Sequence, residues 1–97
     1  MEQSDIRQWV GENAKYMDLN SDEIDHIAMC LHHIYRWYHE GYPLGGFLTA
    51  VVKNDFSEAC FRADDINRKA LYLYALFVAN KIGYDYRKKA NPPGAMK

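Results

Sequence analysis

Apolar residues recur along most of the chain at helical spacing, and the apolar–polar alternation typical of strands is absent. The clearest helical segment covers residues 21–40. Asn20 can cap it, with Glu23 at the third helical position, and Gly41 follows as a residue suited to end it. Its apolar stripe recurs at i, i+3, i+4 and i+7 and consists of Ile24, Ile27, Ala28, Leu31, Ile34, Tyr35 and Tyr38.

The same pattern predicts shorter helices on either side and a second long one near the end. A first helix runs from about Ser4, its N-cap, to about Tyr16, and short helices follow Gly46 and Asp55. Asp64 can cap a last long helix that extends to about residue 81. The sequence therefore predicts an all-α fold, a compact bundle of four to five helices, in which the long helices 21–40 and 64–81 pack together.

The helical pattern ends near Gly83. Residues 1–83 are predicted to form a single helical domain. Residues 84–97 combine a basic cluster with Pro92-Pro93-Gly94, and we expect them to form a basic, flexible tail.

Charge is distributed unevenly although the formal net charge is only −1. Residues 1–25 contain seven acids and two bases, whereas residues 81–97 contain five bases and one acid. The polar N-terminus does not resemble a signal peptide, and no apolar run approaches the roughly 18 residues of a membrane span. The two cysteines show no CxxC spacing and are expected to be reduced. We expect a cytoplasmic protein without a membrane partner.

One face of the 21–40 helix is weakly polar and aromatic and lies away from the apolar stripe. It carries His26, Cys30, His33 and Trp37. The first three have the i, i+4, i+7 spacing with which zinc ligands share a helix face, but a fourth ligand would have to come from elsewhere. The pattern favours a face that packs on another helix or subunit, and we predict neither metal nor cofactor.

Catalytic motifs are not recognisable. His32 and His33 are suited to acid–base chemistry, but no nucleophile is placed beside them by a known pattern. Gly45-Gly46 lacks the lysine and the preceding strand of a phosphate-binding loop. The sequence predicts a protein that is not an enzyme.

Residues 41–67 resemble a known group of proteins. The resemblance rests on glycine, proline and acidic capping residues. Residues 41–55 read GYPLGGFLTAVVKND, followed by Glu58-Ala59 and then by residues 63–67, which read ADDIN. This pattern resembles small uncharacterised proteins of bacteriophages and prophages over about residues 35–80. The resemblance implies a phage or mobile-element origin and brings no activity with it.

We therefore expect a phage accessory protein that acts by binding a bacterial host protein or complex. Its most concrete form is an inhibitor of a defence system, of the anti-CRISPR kind, and a homodimer is a further option. The expected contact residues are His26, His33, Trp37 and Tyr72, with Asp18, Asp22 and Glu23 as a second, acidic patch.

The alternative is a small regulatory nucleic-acid-binding protein. Arg87, Lys88 and Lys89, with Tyr84 and Tyr86 beside them, could contact phosphates and stack on bases. The domain as a whole lacks the basic excess typical of nucleic-acid binders, which makes this the second choice.

Overall fold

Seven α-helices and no strand make up residues 1–91, the part of the chain that the computed structural model describes. The all-α prediction is confirmed. No helix in this part is both long enough and apolar enough to cross a membrane. The end of the predicted tail, with Pro92-Pro93-Gly94, lies outside the described residues. The helices are α1 (Gln3–Asn13), α2 (Ser21–Glu40), α3 (Gly46–Val52), α4 (Phe56–Arg62), α5 (Asp65–Lys69), α6 (Leu71–Asn80) and α7 (Tyr86–Ala90).

The finer prediction of four to five helices, two of them long, is not confirmed. Within residues 1–91 only α2, with 20 residues, exceeds 11 residues. The predicted helix 64–81 is interrupted at Ala70, a fully buried residue with φ −116° and ψ 17° that separates α5 from α6. The bend lets α6 turn its apolar side chains into the core while Lys69 stays at the surface.

The core forms around α2. Its side chains Ile27, Leu31 and Ile34 are fully buried, as are Ile6 of α1 and Phe77 of α6. The ring edge of Trp9 meets Phe77 with 5.4 Å between centroids. Because α1 and α6 both contribute to one cluster around α2, the two terminal thirds of the chain share a single core.

Local capping signals in the sequence are largely confirmed. Asn20 and Glu23 form a reciprocal capping box, with hydrogen bonds of 2.8 and 3.0 Å. Gly41 ends α2 in the left-handed region at φ +76°, where a side chain would be strained. Asp55 and Asp64 accept hydrogen bonds from the first turns of α4 and α5.

The start of α1 differs from the prediction. Glu2, not Ser4, is its N-cap, and the backbone N–H of Glu2 donates to the Asp5 carboxylate at 2.9 Å. The helix ends at Asn13, three residues before the predicted Tyr16.

Helix α7 lies inside the segment that the sequence assigns to a tail. Its first residue, Tyr86, is only 8% exposed and belongs to the core cluster. Just before it, the Tyr38 hydroxyl donates to the Asp85 carboxylate and ties α2 to the chain 47 residues later. Gly83 lies directly against the Tyr38 phenol, so this contact requires a residue without a side chain.

Gly83→Ala is expected to lower the free energy of unfolding by about 1–2 kcal/mol. The added methyl group would overlap the Tyr38 phenol, which can move away only by giving up its hydrogen bond to Asp85. Gly11→Ala is the matched control, because nothing lies near that position inside α1, and alanine there is expected to add about 0.5–1 kcal/mol. Chemical denaturation of both variants checks the pair, and equal effects would contradict the Gly83 packing.

The contribution of the Tyr38–Asp85 hydrogen bond to stability is expected to depend on pH. This bond lowers the pKa of Asp85 from 3.8 and raises the pKa of Tyr38 from 10.0. The Asp85 contribution is complete above pH 3.8 and is lost as the pH falls through the lower folded pKa. The Tyr38 contribution is complete below pH 10.0 and is lost as the pH rises through the higher folded pKa.

Thermal melting of the parent chain and of Tyr38→Phe measures this dependence. We expect the difference in Tm between them to be largest near neutral pH and to shrink towards both extremes. A difference that stays constant from acid to alkaline pH would show that the two groups do not form this bond.

Candidate partner-binding groove

An apolar groove opens between α6 on one side and α3 and α4 on the other. It encloses about 240 Å³. The residues that form it are mostly small or apolar and come from three helices and from the turn between α3 and α4: Ala50, Val51, Asn54, Asp55, Phe56, Ala59, Leu71, Tyr72, Tyr74, Ala75 and Val78.

The turn between α3 and α4 positions one wall of the groove. Asn54 takes the left-handed conformation at φ +63°, which ends α3 as the sequence predicts. The backbone N–H of Asp55 donates to the Ala50 carbonyl at 2.9 Å, and the Asp55 side chain then caps α4. This sharp turn sets α4 beside α3 and brings Phe56 and Ala59 to the same opening.

Two aromatic side chains stand at the edges of the groove. Phe56 is 77% exposed and Tyr72 is 63% exposed. Scattered apolar residues are ordinary on a protein surface, whereas exposed aromatics beside an apolar depression mark interaction sites. Alanines at positions 50, 59 and 75 leave the space between these rings unfilled.

Polar groups are few in the lining of the groove. Tyr74 contributes to the lining, but its buried hydroxyl donates to the Asn67 side chain at 2.5 Å, and burial raises the pKa of that phenol. The remaining polar side chains, Asn54, Asp55 and Tyr72, lie at its margin, and Asp55 is engaged as a helix cap.

The predicted contact face of α2 is partly covered by the chain itself. Cys30 is only 6% exposed, and His26 reaches over to α5, where its Nε2 atom lies 3.3 Å from Asp64 Oδ2. His33 packs on the ring of Tyr42, with 4.9 Å between centroids, and desolvation lowers the pKa of His33. Within the fold, His26 and His33 are thus engaged with Asp64 and Tyr42, whereas Tyr72 lines the groove.

Cys30 and His26 do not form a nucleophile and its base. The sulfur lies 3.7 Å from the same His26 Nε2 atom that faces Asp64, whereas a catalytic relay needs the acid on the other ring nitrogen. Burial also raises the pKa of the Cys30 thiol, which disfavours the reactive thiolate. Within residues 1–91 no group of three or more histidine, cysteine or acidic side chains is arranged to hold a metal ion.

The three acids of the predicted acidic patch differ in their contacts within the fold. Asp22 is exposed at the start of α2. Glu23 caps that helix and forms an ion pair with Lys69 at 2.9 Å, and the hydrogen bond from Lys69 lowers the pKa of Glu23. Lys69 also donates to the backbone carbonyl of Asp18, whose side chain is exposed. Asp18 and Asp22 therefore remain available to a partner, whereas Glu23 is engaged within the fold.

The three basic residues of the alternative interface follow one another along α7. Successive helical residues point about 100° apart, so Arg87, Lys88 and Lys89 spread around the helix instead of forming a flat patch. The Arg87 guanidinium lies over the Tyr86 ring, 5.7 Å from its centroid, and the Lys89 ammonium lies 5.1 Å from the centroid of the Tyr38 ring.

Sequence reasoning missed Phe56 as a surface residue. A signal was present, because α4 carries two phenylalanines five positions apart, about 140° around the helix, and a short helix cannot bury both. Phe61, on the far side from Ala59, is 83% exposed and lies outside the groove. Only the tertiary arrangement distinguishes which of the two borders a depression.

The two cysteines are expected to differ in reactivity. Iodoacetamide should modify the half-buried Cys60 of the folded protein first, whereas Cys30 should react only when the core opens. Peptide mass spectrometry over a time course measures both rates, and the denatured chain, in which they should be equal, serves as the control. Fast modification of Cys30 in the folded chain would contradict its structural role.

Comparisons with protein-family models, with curated proteins and with solved structures found no match to this chain. The resemblance to phage and prophage proteins over residues 35–80 therefore stays a prediction. A functional assignment has to rest on the surfaces of the fold, such as the apolar groove between α3, α4 and α6.

Proposed function

We propose that this protein acts without catalysis, by binding another protein in the groove between α3, α4 and α6. The supporting observation is the exposure of Phe56 and Tyr72 on either side of an apolar depression. Aromatic side chains that surround a desolvated pocket contribute a large share of the binding energy at protein interfaces. The occupant is an apolar segment of the partner, such as a helix that inserts one or two large side chains.

The apolar lining of the groove, together with its size, favours an apolar side chain of a protein partner over a polar or charged cofactor. Its 240 Å³ equal the liquid volume of about eight water molecules and lie below the roughly 300–1,000 Å³ of typical small-molecule sites. That space accepts a leucine, phenylalanine or tryptophan side chain from a partner. The surrounding helices would then supply the rest of the interface.

A more specific form of the proposal is a phage accessory protein that binds a bacterial host protein or complex in the cytoplasm. An inhibitor of a defence system, of the anti-CRISPR kind, is its most concrete version. It is supported by the small size, by the absence of catalytic motifs in the sequence and by the resemblance over residues 35–80. The exposed Asp18 and Asp22 offer a second, acidic contact with such a partner. A second copy of the chain is the competing occupant of the groove.

Nucleic-acid binding remains the second candidate. It is supported by one observation, that Arg87, Lys88 and Lys89 make no ion pair within residues 1–91. Their spread around α7 gives less phosphate contact than a basic stripe would.

Affinity capture from bacterial lysate with matched variants tests the groove. Phe56→Asp places a charge at its edge, and Phe61→Asp makes the same change on the same helix at a similarly exposed position outside it. We expect a partner retained by the parent chain and by Phe61→Asp to be lost with Phe56→Asp and with Tyr72→Glu. Affinity for the purified partner should fall by roughly tenfold or more, as for interface hot spots.

Two outcomes would contradict the proposal. If Phe56→Asp and Phe61→Asp lose the partner equally, the binding is a non-specific hydrophobic interaction with the surface. If Phe56→Asp and Tyr72→Glu both retain the partner fully, the interface lies elsewhere. Light scattering on the purified chain detects the competing occupant, because a dimer that Phe56→Asp dissociates would assign the groove to self-association.

A further inference from the structure

A second cleft lies where the end of α2, the loop 41–45, the end of α3 and α7 meet. It has a volume of about 290 Å³ and shares no lining residue with the groove. Trp37 contributes to it from α2 and Lys89 from α7. The fold thus brings together one residue that the sequence assigned to protein contact and one that it assigned to phosphate contact.

Positive charge is concentrated at this cleft. Lys53 and Lys89 are its only charged lining residues, and neither forms an ion pair within residues 1–91. Two acids of the adjoining elements are engaged elsewhere. Glu40 pairs with Arg36 at 3.2 Å, and Asp85 accepts the Tyr38 hydroxyl, although Lys89 lies close enough to help lower the pKa of Asp85.

The rest of the lining combines polar groups, such as the Thr49 side chain, with apolar and aromatic residues. Pro43, Leu44 and Val52 line it together with the half-buried Trp37. The other aromatic residue there, Tyr42, is already covered, since its ring carries the Arg36 guanidinium at 4.4 Å and packs on His33. A flat ligand would therefore find its apolar contact on Trp37.

We infer that this cleft binds a planar aromatic compound that carries a phosphate, the chemistry of a nucleoside monophosphate. Lysine binds phosphate as a point charge, and aromatic side chains stack on nucleobases of any type. The volume of about 290 Å³ lies just below the range for small-molecule sites, about 300–1,000 Å³, so at most one nucleotide unit enters the cleft and a longer strand would extend beyond it. The source of that unit is either a free nucleotide or the phosphorylated end of a nucleic acid.

Trp37 provides the readout. The tryptophan fluorescence of the full chain is titrated with each of the four ribonucleoside monophosphates, with adenosine, with inorganic phosphate and with a 5′-phosphorylated oligonucleotide. We expect saturable quenching by a monophosphate or by the phosphorylated oligonucleotide, and at least roughly tenfold weaker binding of adenosine or phosphate alone. The signal should be absent in Trp37→Phe, in which only Trp9 reports.

Charge-reversal variants test the role of the lysines. Lys53→Glu and Lys89→Glu are each expected to weaken binding by roughly tenfold or more, the loss of one charge-assisted contact. Lys88→Glu is the matched control on the same helix, at an exposed position outside the cleft, and should change affinity by no more than about twofold.

The oligonucleotide distinguishes the two sources of the ligand. If only the phosphorylated strand quenches the fluorescence, the ligand is the phosphorylated end of a nucleic acid and not a free nucleotide. Absence of saturable quenching by all these probes up to millimolar concentration would overturn the inference. Binding that survives both Lys53→Glu and Lys89→Glu would overturn it as well. Phe56→Asp should retain the quenching, so failure of the groove proposal and failure of this one are distinguishable.

Discussion

The burial of α2 side chains in one cluster with side chains of α1 and α6 is the constraint on which the rest of the structure depends. Ile27, Leu31 and Ile34 are fully withdrawn from water, and each such side chain contributes about 1.5–3 kcal/mol relative to an exposed position. Their partners, such as Ile6 and Phe77, lie in opposite thirds of the chain. Because side chains of α2 pack against residues from both thirds, the small protein has a single core, and the remaining helices attach to it.

Polar contacts then determine how the shorter helices are attached. Lys69 joins α5 to Glu23 at the start of α2, and Asp85 joins the segment before α7 to Tyr38 near its end. Tyr74 and Asn67 form a buried hydrogen bond across the bend at Ala70. A buried polar group that loses its partner costs about 1–3 kcal/mol, so this bond helps to hold α5 and α6 at their angle.

The two surface depressions follow from the shortness of the peripheral helices. Helices of five to seven residues, such as α3, α4 and α7, cover only part of a neighbouring face. Where small side chains meet between α3, α4 and α6, the uncovered face is apolar, and aromatic rings stand beside it. Where α3 and α7 end near Trp37, the uncovered face carries two lysines. The two depressions therefore differ in the ligand that each would accept, although one architectural cause explains both.

The sequence by itself determined the local structure, including the all-α class, the extent of α2 and the caps at Asn20, Asp55 and Asp64. These depend on hydrogen bonds that span three or four residues, so the neighbouring residues suffice to predict them. Of the residues that line the groove, the sequence analysis had named Tyr72 as a contact residue. The sequence could not indicate that Phe56 lies at the same groove as Tyr72. Tertiary structure alone decided the break at Ala70, the attachment of α7 and the placement of Trp37 and Lys89 in one cleft, because these depend on which helix faces come together across many residues of chain.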